Sequence, residues 1–303
     1  MNQNYLISIV GATAIGKTSL SIALAKHYKT EIISSDSRQF FKEMQIGTAV
    51  PDEEELKEVK HHFIQDRSIF NNYNVGDYER DAITKLNELF KYNSIVIMVG
   101  GSGLYVNAVI DGLDDFPEID SNIRFDLKKE LEKKGIQVLQ KRLQQLDPIT
   151  FQKIDINNKQ RLIRALEICI GTGKTYSSFL KNKKNKRDFI PVKIGISADR
   201  EIIYNRINER VDIMMQNGLL EEAKKLYEHK NLNALQTVGY KELFRFLDKD
   251  WDLEFAISEI KKNTRRFAKR QGTWFRKDSE IKWFNYKEPV QNIISYIDSI
   301  TKK

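Results

Sequence analysis

The stretch "VGATAIGKTSL", residues 10 to 20, constrains the fold more than any other part of the chain. Its spacing is G-x-x-x-x-G-K-T, with the apolar run "YLISIV" before it and the helix-like "KTSLSIALAKHY" overlapping its end. Gly11 and Gly16 let the backbone curl until its N–H groups face an anion, and the following helix adds the positive end of its dipole. Lys17 supplies a point charge to phosphates, and the Thr18 hydroxyl can ligate Mg²⁺. The chain is therefore expected to open as strand, phosphate loop and helix.

The rest of the pattern extends that unit. Residues 5–10, 31–35, 61–64, 94–99 and 192–197 are short, β-branched and mostly apolar, as in strands buried on both faces of a parallel sheet. Helix-length segments separate them, and a last short strand is expected at "IKWFNY". The fold class is α/β, a P-loop NTPase-like parallel sheet core with an inserted all-helical domain. The alternation stops after "DGLDDFP": residues 121–146 read as two helices broken near Gly135, and Asp147-Pro148 ends the second. This places the insertion at 116–190, with 1–115 and 191–303 forming the core and its C-terminal helices. "KNKKNKR" (181–187) reads as a loop, and "GLLEEAKKLYEH" as an ordinary amphipathic helix.

Fifty Lys and Arg against 42 Asp and Glu leave a formal +8, which suits a polyanionic partner without demanding one. The single cysteine, Cys169, lies in an apolar run and reads as a small buried hydrophobe, so a disulfide framework is excluded. The N-terminus has no charged region before its apolar run, and no stretch reaches the roughly 20 apolar residues of a membrane span. A cytoplasmic protein is expected. No long coiled-coil repeat calls for a dimer, so a monomer is expected as well.

Beyond the phosphate loop, "EIISSDSRQ" puts Asp36 just past the C-terminal end of a strand, where α/β folds gather ligands. It could ligate magnesium, accept a proton from a nucleophile, or cap a turn. The best apolar strand, "SIVIMV", ends in Gly100-Gly101-Ser102-Gly103 and lacks the carboxylate that phosphoryl-transfer enzymes place there. "GGSGLY" could be a second backbone cradle or a tight strand-to-helix turn. His61 and His62 point to opposite faces of a strand and cannot share one ion. Arg206 and Arg210 share a helix face and could grip a pyrophosphate, or be neutralised by Glu209 and Asp212. In "LEFAISEIKKNTRRFAKRQGTWFRK", basic residues including Lys269 and Arg270 precede Trp274 and Phe275. The stretch is either a solvated face or a surface for a nucleic acid backbone and its bases.

Taken in order, "GATAIGKT", "ISSDSRQFFKEMQIGTA", "HHFI", "GGSGLY", "QRLIRALEI", "RVDIMMQNGLLEE", "TVGYKEL" and "AKRQGTWFR" resemble the tRNA dimethylallyltransferase family, the tRNA isopentenyltransferases of bacterial MiaA type. The resemblance spans nearly the whole chain. It implies transfer of a dimethylallyl group from dimethylallyl diphosphate to N6 of adenosine 37 in tRNAs that read codons beginning with U. Pyrophosphate is the other product, and no γ-phosphoryl group moves. On the family pattern Asp36 takes the N6 proton and Ser102 is the hydroxyl beside the reacting centre. Gly11, Ala12, Thr13, Ala14, Ile15, Gly16, Lys17 and Thr18 bind the diphosphate with Mg²⁺, and Arg206 is a further clamp.

The family pattern also implies contacts to the tRNA anticodon stem-loop. They involve Asp36, Ser37, Arg38, Gln39 and Ser102; Arg124; Gln160, Arg161, Leu162, Ile163 and Arg164; Gln236, Thr237, Val238, Gly239, Tyr240 and Lys241; and Lys269, Arg270, Gln271 and Trp274. The helical insertion would embrace that stem-loop. Three positions depart from the common pattern: Ala12 for Pro, Asn158 for Asp, and Ser102 for Thr, which keeps a hydroxyl but loses a restraining methyl. Alternatives are a P-loop kinase of a nucleoside or small metabolite, a transferase prenylating free adenine nucleotides, and a non-catalytic RNA-binding protein.

Overall fold

A computed structural model of the chain describes residues 3–180 and 185–302. Residues 181–184 of the basic loop lie outside them. Two compact units are present, one built from Met1–Asp111 and Arg187–Lys303, the other from Gly112–Lys186. Both boundaries fall slightly before those read from the sequence. No helix among the described residues is long and apolar enough to cross a membrane.

The first unit holds one six-stranded sheet in which every pairing is parallel. Its strands are β1 (Tyr5–Gly11), β2 (Ile32–Ser34), β3 (His61–His62), β4 (Ile95–Gly100), β5 (Ile190–Ser197) and β6 (Lys282–Asn285), in the order β3-β2-β4-β1-β5-β6. On the central β1, Ile7 and Ile9 face one cluster with α1 (Lys17–Tyr28) and the C-terminal helix, while Leu6 and Val10 face another with Tyr78, Leu86 and Val106. Alternate side chains of one strand thus serve opposite cores, which is why the strand is apolar almost throughout.

Strand ends shift by one or two residues from their expected positions, and at β3 and β5 the backbone shows why. β3 stops at His62 because Phe63 and Gln65 adopt left-handed φ values of 62° and 48°, which turn the chain out of the sheet. β5 begins at Ile190 and includes Pro191; at the start of a strand the missing N–H interrupts little of the ladder.

After β2 come α2 (Glu53–Glu58) and α3 (Val75–Leu89), and after β4 comes α4 (Gly103–Asp111). The second unit is helical: α5 (Ser121–Lys134), α6 (Ile136–Leu146), α7 (Pro148–Lys153) and α8 (Lys159–Thr172) pack Leu127, Leu139, Leu143, Leu162, Ile163 and Leu166 together. Cys169 joins that core and is buried. The first unit resumes after β5 with α9 (Arg200–Gln216), α10 (Leu219–Leu226), α11 (Tyr240–Leu247), α12 (Leu253–Phe275) and α13 (Val290–Thr301).

Asp147, expected only to end a helix, is a polar hub of the helical unit. Fully buried, it accepts hydrogen bonds from Thr150 N (2.9 Å), Thr150 Oγ1 (2.7 Å), Ser177 N (2.7 Å) and Ser177 Oγ (3.0 Å). Burial alone would raise the Asp147 pKa, but these donors outweigh it and hold the carboxyl below its ordinary value. Asp147→Ala should cost about 1–3 kcal/mol by leaving buried donors unpaired, measured by denaturant unfolding of the whole chain. Because the folded pKa is depressed, the stabilisation is complete above about pH 4 and declines as pH falls through the lowered value. Asp147→Asn should flatten that acid dependence.

Candidate active site

Parallel strands deliver their C-terminal ends to one edge of the sheet, and three turns meet there: residues 11–16 after β1, 35–39 after β2 and 101–102 after β4. A cleft of about 670 Å³ opens beside the first two. Thr13 through Thr18 line it, together with Asp36, Arg206 and Arg210. Gly16 adopts φ 98°, a left-handed value that suits glycine, and closes the loop onto the first turn of α1.

Charge is set unevenly across this cleft. Enclosure lowers the Lys17 amine to about 8, with Arg210 adding to the shift and Asp36 opposing it. The Lys17 ammonium donates to Ala12 O at 2.7 Å. Enclosure likewise raises the Asp36 carboxyl above its ordinary value, against the opposing pull of the Arg38 N–H, which donates to Asp36 Oδ1 at 3.1 Å, and of the Lys17 charge. A carboxylate with a raised pKa is a stronger base than one in water.

Arg206 lies near the phosphate loop, donating to Ile15 O at 3.4 Å, and its guanidinium sits 4.7 Å from the Tyr286 ring centre. Of the acids that might neutralise the pair, Asp212 is engaged elsewhere, 2.6 Å from Lys261, whereas Glu209 lines the cleft. The lining also includes Ile46, Val50, Ile64, Val99, Ile213 and Met214, so the cleft combines cations with apolar side chains. Ser102 is not part of its lining; the Ser102 Oγ accepts from Ser37 N at 3.1 Å and lies 3.1 Å from Ser37 Oγ, on the turn next to Asp36. His61 and His62 have separate partners, Val59 O (2.8 Å) and Glu31 (2.6 Å).

Several residues that the resemblance assigns to tRNA are occupied within the protein. Leu162 and Ile163 are 0% and 2% exposed in the helical core, and Tyr240 is 0% exposed, so their side chains are unavailable to RNA. Gln271 is a buried strut: its side chain accepts from Thr13 N (2.9 Å) and donates to Gly101 O (2.9 Å), joining the phosphate loop to the turn after β4. Gln39 donates to Thr48 O and Ala49 O, and Arg38 to Asn233 O and Ala234 O. Gln236 donates to Lys230 O.

Arg124 and Arg164 converge on the buried Glu167, at 2.8 and 3.2 Å, and outweigh the burial that would otherwise raise that carboxyl. Val238 packs on the core around Tyr240, and Gly239 caps α11 with φ 99°. Gln160, Arg161, Lys241, Lys269, Arg270 and Trp274 remain exposed.

Three features escaped the sequence reading: the 45–51 segment as a cleft wall, Gln271 as a strut, and Glu222, which bonds that wall from the helix read as ordinary. Only the motif "QIGTA" hinted at the first.

The family model described as IPP transferase matches residues 39–278. A tRNA dimethylallyltransferase of Christiangramia forsetii is 64% identical over 296 residues, 98% of this chain and 98% of the relative. Another, of Flavobacterium johnsoniae, is 61% identical over 299 residues, 97% of each. Among solved structures, the full-length tRNA isopentenylpyrophosphate transferase of Bacillus halodurans superposes with a TM-score of 0.74 at 37% identity, covering 99% of this chain and 97% of that one. A eukaryotic dimethylallyltransferase acting on tRNA gives 0.81 at 26% identity, covering 99% and 80%.

The Lys17 amine, with a pKa of about 8, should react with an amine reagent faster at pH 8 than exposed lysines, which stay protonated until about pH 10. Pyrophosphate should suppress that labelling. Peptide mapping after brief exposure reads both effects, and a Lys17 rate no higher than the surface average contradicts the assignment.

Proposed function

The chain belongs to the IPP transferase family, and from that premise we propose that it transfers a dimethylallyl group from dimethylallyl diphosphate to N6 of adenosine 37 in tRNAs reading codons that start with U. The products are N6-dimethylallyladenosine and pyrophosphate. The enzyme is a tRNA-modifying prenyltransferase, acting in this reading as a cytoplasmic monomer. One observation carries the reading: a carboxylate with a raised pKa lines the same cleft as the phosphate loop and its lysine. The cleft's mixed lining of cations and apolar side chains suits a donor made of a diphosphate and a short hydrocarbon.

The N6 amine is a weak nucleophile because its lone pair is delocalised into the ring. Asp36 accepts the N6 proton as the C–N bond forms, and the C–O bond to the diphosphate breaks. Negative charge grows on the departing pyrophosphate, where the loop N–H groups, Lys17 and Arg206 hold it. An allylic carbon tolerates positive charge, so the displacement can be loose. Ser102 bonds to Ser37, the residue after Asp36, and in this reading helps to keep the 36–37 turn in place.

A hard divalent cation fits the donor set. Thr18, whose hydroxyl is a hard oxygen donor, lines the cleft beside the phosphate loop. Mg²⁺ would be held by the Thr18 hydroxyl with diphosphate oxygens and water, and when bound it neutralises charge on the leaving group. The adenine must leave its stack to reach the carbon, at a cost of a few kcal/mol. In the core unit, exposed Lys241, Lys269, Arg270 and Trp274 offer phosphate and stacking contacts; in the helical unit, Gln160 and Arg161 offer polar ones.

Asp36→Ala should slow the single-turnover chemical step by about 10²-fold or more while tRNA affinity stays near that of the unaltered enzyme. Rapid-quench assays with labelled dimethylallyl diphosphate and unmodified tRNA measure the first, and filter binding the second. A near-normal single-turnover rate eliminates Asp36 as the base.

A further inference from the structure

We propose that Glu222 is a positioning residue for the prenyl diphosphate cleft, its carboxylate fixing the 45–51 segment that forms one wall. The identity of the ligand rests on the function proposed above; the geometry of the hold does not.

Glu222 does not line the cleft, yet three successive backbone N–H groups donate to it, those of Gln45 (3.0 Å), Ile46 (2.9 Å) and Gly47 (2.9 Å). A fourth donor is the Tyr240 hydroxyl, at 2.7 Å. Burial first, and the Glu222 charge second, raise the Tyr240 phenol, so it stays a protonated donor across the working pH range. Four donors on one ionised carboxylate make a charge-assisted anchor that no neutral side chain reproduces. Glutamine would offer one acceptor oxygen and turn its own N–H₂ toward the donors.

The approach is close as well as bonded. A Cβ on Gly47 would lie 2.7 Å from the Tyr240 ring, so glycine allows the segment to sit against that ring. The far end is held by Gln39, whose amide donates to Thr48 O (3.2 Å) and Ala49 O (2.8 Å), and by Thr48 Oγ1 donating to Met44 O (2.5 Å). Ala49 has φ 50°, an unfavourable left-handed conformation for a residue with a side chain. Such a conformation persists where the surroundings enforce it. The segment so held contributes Gln45, Ile46, Thr48, Ala49, Val50 and Pro51 to the cleft. Releasing the Glu222 end therefore blurs the shape of the donor pocket while leaving Asp36 and the phosphate loop in place.

The test compares Glu222→Gln with the unaltered full chain in two ways. Hydrogen exchange of the Gln45, Ile46 and Gly47 amides is expected to speed up by at least about tenfold, because the groups that protect them are lost. Steady-state kinetics are expected to show KM for dimethylallyl diphosphate raised about tenfold, with KM for tRNA and kcat within about threefold. Simple loss of folded enzyme would instead lower kcat at constant KM.

Tyr240→Phe removes one donor and should move both readouts the same way by less, so the inference stays testable if Glu222→Gln folds poorly. Unchanged amide exchange overturns the hold, and faster exchange with an unchanged donor KM overturns the positioning role. Should the unaltered enzyme fail to prenylate tRNA, the function proposed above falls, while the exchange measurement still decides whether Glu222 holds the wall.

Discussion

The site depends on holding a carboxylate and an ammonium, both partly shielded from water, in one cleft without letting them neutralise each other through a direct bond. Lys17 spends a hydrogen bond on Ala12 O, and Asp36 accepts one from Arg38 N. Both charges are disfavoured by enclosure, one pKa falling and the other rising. Each moderates the other's penalty. On the proposed function, the cations would hold the anion while the carboxylate, with its raised pKa, would accept a proton, the two demands of moving carbon from a diphosphate to an amine.

Side-chain struts help to hold that arrangement alongside apolar packing. Turns at the carboxyl edge of a sheet have backbone groups that no ladder satisfies, and here particular side chains take them up. Gln271 bridges the phosphate loop and the turn after β4, Gln39 secures the 48–49 carbonyls, and Glu222 secures the 45–47 amides. Every strut comes from outside the segment it holds, and Glu222 is more than 170 residues away in sequence. Such polar anchors fix a geometry that hydrophobic contact, being non-directional, would leave loose.

That distance explains what the sequence disclosed and what it concealed. All six strands and the helical insertion were readable because hydrophobic period and turn residues are local signals. The phosphate loop and Asp36 were readable because strand, turn and acceptor are contiguous at residues 5–18 and 31–36. Glu222 and Gln271 looked like ordinary polar positions on amphipathic helices, since their partners are set by tertiary packing. Within the segments that the family motifs mark, the division between core and surface was not legible. In "TVGYKEL", Gly239 and Glu242 cap a helix and Tyr240 is core, leaving Lys241 on the surface. In "QRLIRALEI", Leu162 and Ile163 pack inward while Arg161 stays exposed.

The formal charge of +8 can be divided on the same basis. Lys193 is buried between Asp278 (2.7 Å) and Glu280 (2.8 Å), Arg124 and Arg164 share Glu167, and Lys261 is tied to Asp212. Cations matched in this way hold the protein together and have little potential left to project. Lys269 and Arg270 pair with no carboxylate among the described residues, and on the same helix Phe267 and Trp274 are exposed at 38% and 40%. Unmatched charge beside an exposed ring is what a nucleic acid surface requires, since phosphate binding is paid in released counterions and base binding in stacking. On the proposed function, this stretch of α12 is one of the surfaces that face the polyanion, along with exposed Lys241 and Arg161.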